Sequence, residues 1–222
     1  ILFLSTPENR TDLNLLLELD IQAIKIGSDD LINIPLIKDF SLTGLPLIIS
    51  CGMSNLNEIK ESLQIFNVQK DYPLVLMLTT SEYPTEAENV NLLKLKTLSK
   101  TFPRVVLGLS DHTQNTLAAS IAVGFGAKVF EKHFTLDHDL PGPDHWFSAN
   151  PSELKNWSES IFLAYEMLGS ENVEPTKNEN LVKQQARRSV IAKKNILQGE
   201  VFSEKNLGLF RPGNGLPPKK IF

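Results

Sequence analysis

GLSDHTQNTLAASIAVGFGAKVFEKHFTLDHDLPGPDHWFSAN, residues 108–150, carries all four histidines of the 222-residue chain. Two of them, His112 and His133, each follow a short apolar run of β-prone residues, Arg104–Leu109 and Lys128–Lys132. Between the runs lies Thr116–Val123, rich in alanine and broken off by Gly124 and Gly126. That pattern predicts strand, helix, strand, with polar residues at both strand ends. Two imidazoles at the carboxyl ends of neighbouring parallel strands can meet on one divalent metal.

Working outward, the same plan repeats. Apolar runs lie at Leu2–Leu4, Ala23–Ile26, Leu45–Ile49, Leu74–Leu78, Val105–Leu109 and Val129–Phe130. Amphipathic stretches separate them: Leu13, Leu16, Leu17 and Leu19; then Ile59, Leu63, Ile65 and Phe66 behind an N-cap at Ser54; then Val90–Phe102. The spacing is that of βα units and predicts six parallel strands joined by right-handed crossovers. After Leu140–Asp144, read as a rigid loop, Ser152–Leu168 has one apolar face and predicts a long helix that Gly169 closes.

The strand ends are more informative than the strand middles. They carry Ser5 and Thr6; Lys25, Ser28 and Asp30; Ser50; Thr79, Ser81 and Tyr83; Ser110, Asp111 and His112; Lys132 and His133. Ligands bind at the carboxyl edge of parallel strands. Loops are polar in any case, which accounts for a serine or threonine. It accounts poorly for a lysine inside a strand and for histidines on adjacent strand ends. Hydroxyls and a lysine on one rim suit a phosphate or carboxylate. The two histidines suit a catalytic metal with open positions, and by residue type alone zinc, manganese and iron all qualify. His138 and His145 read as ordinary hydrogen-bonding residues. Asp144 reads either as a turn cap or as a group held near the strand ends.

Net charge is −4, which gives no sign of a nucleic-acid surface or a polybasic membrane anchor. The longest apolar runs are too short to span a bilayer, and no secretory signal pattern opens the sequence. The single cysteine, Cys51, excludes an internal disulfide and fits a reducing cytoplasm. It reads as a small packing residue. From Ser170 to Gln185 polar residues dominate, which reads as a linker; beyond it, Ser189–Ala192 and Leu209–Arg211 read as short strands.

Several motifs, in order along the chain, resemble the sialic acid synthases. They are Phe3-Leu-Ser-Thr-Pro7, Lys25-Ile-Gly-Ser28, Ile49-Ser-Cys-Gly-Met53, Tyr83-Pro84, Gly108-Leu-Ser-Asp-His-Thr113, Glu131-Lys-His-Phe-Thr-Leu-Asp137, Gly142-Pro-Asp-His145 and Arg211-Pro-Gly-Asn-Gly215. The resemblance implies an α/β chain: a (β/α)8 TIM barrel over residues 1–169, a linker over 170–186, and a small antifreeze-like SAF domain over 187–222. It implies that the first two βα units of the barrel, with a glutamate and a lysine of the site, lie before Ile1. It implies a cytoplasmic homodimer with the SAF domain swapped between subunits. The implied reaction condenses phosphoenolpyruvate with N-acetylmannosamine or a related N-acylated hexosamine, giving a nine-carbon 2-keto acid sugar and phosphate. His112 and His133 would hold the metal, Mn2+ first with Mg2+ or Co2+ as alternatives, and would act with Lys25 in catalysis. Thr6, Lys25, Ser28, Ser50, Ser81, Tyr83 and Ser110 would bind phosphoenolpyruvate. Asp30, Tyr83, Asp144 and Arg211 would face the sugar.

The sequence departs from the family pattern at Asp29, Cys51, Ser81, Glu82 and Trp146. All of these but Asp29 lie near the expected sugar and leave a legionaminic or pseudaminic acid precursor open as the acceptor. A barrel aldolase or isomerase acting on another sugar, or an inactive sugar-binding homologue, are the competing expectations.

Overall fold

The computed structural model describes all residues except 68–71, 212–214 and 222. The chain divides into two compact units, Ile1–Gly169 and Ser170–Phe222.

The first unit is built on five parallel strands: β1 (Ile24–Ile26), β2 (Leu47–Ser50), β3 (Leu74–Leu78), β4 (Val106–Asp111) and β5 (Val129–Lys132). They stand in the sheet in chain order, with no switch of direction. That winding is the barrel type; a doubly wound sheet reverses its order at a switch point. Helices α1 (Arg10–Glu18), α2 (Ile34–Ser41), α3 (Leu56–Leu63), α4 (Leu93–Thr101) and α5 (Leu117–Gly124) connect successive segments, and α6 (Pro151–Leu168) follows β5.

Register decides which side chains share a face. Lys25 pairs with Ile48, Ser50 with Met77, Met77 with Gly108 and Ser110 with Glu131. Because side chains alternate along a strand, these residues line the face away from the helices. Ile24, Ile26, Leu47, Ile49, Leu76, Leu107 and Leu109 point the other way and form the core with Leu13, Ile37, Phe40, Leu95, Ala119 and Trp157.

Five strands form where six were expected. Leu2–Leu4 lies outside the sheet and is exposed. One backbone bond follows it, from the Lys25 amide to the Ser5 carbonyl. An apolar tripeptide with no second ladder bond does not count as a strand, however β-prone its residues. The N-cap of α3 is Asn55, one residue beyond the expected Ser54, and Asn55 and Glu58 cap each other reciprocally. Helix α2 was not anticipated from the sequence.

The second unit holds α7 (Lys177–Ala186) and an antiparallel pair, β6 (Ser189–Ala192) with β7 (Leu207–Phe210). The segment read as a linker contains a helix of 10 residues. A reciprocal cap between Thr176 and Glu179 starts it, and no residue of it is buried. Local capping alone explains why its apolar periodicity was too weak to read.

Candidate active site

The face of the sheet away from the helices collects polar groups at the carboxyl ends of the strands. The Lys25 ammonium donates to the Ser50 hydroxyl at 2.8 Å and lies 3.7 Å from the Glu131 carboxylate. The Ser110 hydroxyl donates to the other oxygen of Glu131 at 2.6 Å. Ser110 Oγ is in turn 3.4 Å from His112 Nε2. The imidazoles of His112 and His133 lie edge to face with centres 5.2 Å apart. Tyr83 packs against both, at 4.3 and 5.6 Å, and Phe147 closes the aromatic wall beside His133 at 5.1 Å. Lysine, serine, carboxylate and the histidine pair thus form one connected chain across β1, β2, β4 and β5.

The state of His112 is fixed by its neighbours. Nδ1 is 2.8 Å from the Thr80 carbonyl oxygen, which can only accept, so Nδ1 carries the proton and Nε2 keeps its lone pair. Burial holds the ring below the ordinary histidine range, against the pull of the Thr80 hydrogen bond. A neutral imidazole, oriented through its other nitrogen, is what a metal ligand requires. Two imidazoles sharing one cation at about 2.1 Å put their ring centres roughly 5 Å apart, and the pair here has that separation. Among the described residues no cluster of three or more histidine, cysteine or acidic side chains forms a closed metal site.

Around Gly52 two hydroxyls come together. The Gly52 amide donates to Ser28 Oγ at 3.0 Å. A Cβ on Gly52 would come within 2.4 Å of Ser81 Oγ and 2.8 Å of Ser28 Oγ. Only a residue without a side chain lets these hydroxyls converge.

The structure brings together Lys25, Ser50, Ser110, His112, His133 and Tyr83, and it sets Ser28 beside Ser81. The Tyr83 phenol is raised by burial first and then by Asp144 and Asp29, against the pull of Ser81. Asp144 Oδ2 is 3.6 Å from His133 Nδ1, so the loop does hold it near the strand ends. Asp30 accepts from the Asn33 side chain at 2.9 Å, a local turn contact. Thr6 is exposed. Arg211 is exposed in the second unit, and the motif residues 212–214 lie outside the described ones. His138 meets Glu153 at 3.1 Å and His145 meets Thr135 at 2.7 Å, both ordinary partners.

Three participants were not singled out from the sequence: Glu131, the Thr80 carbonyl and Phe147. Glu131 had a signal, since it stands two residues before His133 and so shares its face. A backbone carbonyl and a loop phenylalanine had none.

Parallel strands wound in chain order, with a lysine–hydroxyl–carboxylate rim running into a histidine pair, place the molecule among α/β proteins with a barrel-type strand-end site. The chain belongs to the NeuB family, whose model matches residues 1–173. It is 39% identical to an N,N'-diacetyllegionaminic acid synthase of Legionella pneumophila, over 99% of this chain and 62% of that protein. It is 35% identical to a pseudaminic acid synthase of Campylobacter jejuni, over 99% of this chain and 63% of that protein. The crystal structure of N-acetylneuraminic acid (sialic acid) synthetase from Leptospira borgpetersenii in complex with citrate superposes with a TM-score of 0.76 at 34% identity. That match covers 82% of this chain and 63% of the other. The chain thus spans less than two thirds of the length of these relatives.

Proposed function

We propose that this chain carries the strand-end chemistry of a nonulosonic acid synthase. Phosphoenolpyruvate and the open-chain aldehyde of N-acetylmannosamine or a related N-acylated hexosamine condense to a 2-keto acid sugar, with release of phosphate. The observation that carries this reading is the cluster in which Lys25 meets Ser50 and Glu131, Ser110 donates to Glu131, and Ser110 stands beside the His112–His133 pair.

Lys25 supplies the positive charge for the phosphoenolpyruvate anion, and the hydroxyls of Ser28, Ser50, Ser81 and Ser110 supply directional donors. Tyr83 and Asp144 border the histidine pair, where the sugar has to present its aldehyde. A divalent ion held by His112 and His133, with Mn2+ the first choice, would polarise that carbonyl. The methylene carbon of phosphoenolpyruvate forms the new bond to the aldehyde carbon, and the aldehyde oxygen takes up a proton. Water adds at the carbon that bears the phosphate, and phosphate leaves as the keto group forms. Glu131, held between Ser110 and Lys25, is the carboxylate at hand to take the proton of that water.

In the same reading the protein works in the cytoplasm as a homodimer. Residues 187–222 form an antifreeze-like module, and its Arg211 reaches the N-acyl group across subunits. Among the described residues no helix is long and apolar enough to cross a membrane.

The test is phosphate release from phosphoenolpyruvate with Mn2+ and a panel of N-acylated hexosamines. Release should require both sugar and metal, and His112→Ala or His133→Ala should lower it by at least about 10³-fold with the circular-dichroism spectrum unchanged. Release indifferent to the sugar, or full activity in either variant, rejects the proposal.

A further inference from the structure

The site occupies one face of β4 and β5, and the intervening residues point to the other. Asp111 lies between Ser110 and His112; Lys132 lies between Glu131 and His133. The two are direct partners across the strands and form the last rung of the β4–β5 ladder, immediately before the two histidines.

Their side chains are 1% and 6% exposed, and Lys132 Nζ lies 3.4 Å from Asp111 Oδ2. The carboxylate is saturated. Oδ1 accepts from the Thr113 amide at 2.9 Å and the Thr113 hydroxyl at 2.8 Å. Oδ2 also accepts from Trp157 Nε1 at 2.7 Å, across from α6. The Lys132 ammonium donates to the Thr113 carbonyl and lies 6.0 Å from the centre of the Trp157 ring.

A buried ion pair is a poor source of stability. Desolvation offsets most of its attraction, and apolar residues of similar volume commonly do as well or better. What a saturated pair supplies is direction, because each bond fixes an angle that packing alone leaves free. Strand ends are where a ladder frays, and both imidazoles begin one residue past the last paired rung.

We propose that Asp111, Lys132 and Trp157 are positioning residues: from the helix side of the sheet they lock the last β4–β5 rung, so that His112 and His133 stay one ion's span apart. The inference rests on reading the histidine pair as metal ligands. Loss of outer contacts to ligand-bearing elements typically weakens metal binding by about 10–100-fold.

Two variants of the whole protein test it. Asp111→Leu combined with Lys132→Met replaces the pair by apolar groups. Trp157→Phe keeps the ring and removes only the indole N–H. Thermal midpoint, Mn2+ affinity by calorimetry, and the His112 tautomer by long-range 1H–15N NMR in metal-free protein are the three readouts. The double variant should melt near the wild type yet bind Mn2+ at least about 10-fold more weakly. Trp157→Phe should weaken binding in the same direction by about 3-fold or more. If the double variant fails to fold, Trp157→Phe decides. Wild-type affinity in a folded double variant, or in Trp157→Phe, overturns the proposal. Should the wild-type protein bind no Mn2+, the metal reading fails on its own, and the metal-free spectra decide here. A single Nδ1–H tautomer in the wild type that becomes a mixture in the variants supports positioning; identical spectra overturn it.

Discussion

Cys51 follows directly on β2, one residue beyond Ser50, yet its sulfur has nothing to do with the rim. Burial pushes its thiol from the ordinary 9.0 to about 11, and the charge of Lys94 pulls back only weakly. The reading as a packing residue rested on how often free cysteine is buried, and burial is what the structure shows. The consequence for stability has a definite sign. The folded value lies above the unfolded one, so the neutral thiol favours the fold. That contribution is fully present below pH 9 and is lost as pH rises through about 11. Tyr72, pushed by burial from 10.0 to about 12, adds a loss of the same sign at higher pH. Urea midpoints followed from pH 9 to 11 should fall, and Cys51→Ala should fall less steeply. Parallel curves for the two proteins would show that the thiol carries none of the effect. At this scale the sequence was most legible where residue type alone restricts chemistry. Histidine and lysine at strand ends stood out. Asp30 accepts a bond from Asn33, a contact that only three-dimensional placement reveals.

Elements were legible where periodicity and capping agree. Helix α6 is the clearest case: its apolar face, Pro151 at the start and Gly169 at the end all predicted it. The structure adds the cap residue. Asn150 Oδ1 accepts from the amides of Ser152 and Glu153, each at 3.0 Å, and Glu153 returns a bond to the Asn150 amide at 2.8 Å. Since α6 delivers Trp157 to Asp111, fraying at this end bears on the site. Asn150→Ala should cost about 1 kcal/mol, and Asn150→Asp, which keeps the acceptor, should cost far less. Chemical denaturation of the three proteins checks this; equal losses for both variants would show that the cap bond is not the cause. Helix α2 went unread although Asn33 caps it and Pro35 sits in its first turn. Its eight residues carry only two buried positions, Ile37 and Phe40, too few to establish a period. Leu2–Leu4 failed the other way: propensity was right and the ladder partner was lacking.

For the whole molecule, the order of the parallel strands was legible because each βα repeat is a local signal, and the change to polar residues at Ser170 marked where the two units part; how much each unit buries is what no local signal reports. The two units differ sharply in this respect. Ile1–Gly169 encloses a continuous apolar core from Leu13 to Trp157. Among the described residues of Ser170–Phe222, only Ser189 and Asn206 are buried, and both are polar. Its apolar residues Leu181, Leu197, Val201, Phe202 and Leu216 are exposed. What order it has is local: the Thr176–Glu179 cap, the β6–β7 pair, and Asn206 bonded to Glu200 and the Val201 carbonyl. A two-stranded ribbon with one short helix and, among the described residues, no buried apolar side chain gains little from burial against the entropy of ordering its backbone. A peptide of residues 170–222 should therefore show weak helical ellipticity at low temperature and melt gradually, without a sigmoidal transition. Residues 1–169 should melt cooperatively when followed by tryptophan fluorescence, since both tryptophans, Trp146 and Trp157, lie in that unit. A sigmoidal melt of the isolated peptide at micromolar concentration would mean that the β6–β7 ribbon and α7 carry a core of their own, and would overturn the burial argument.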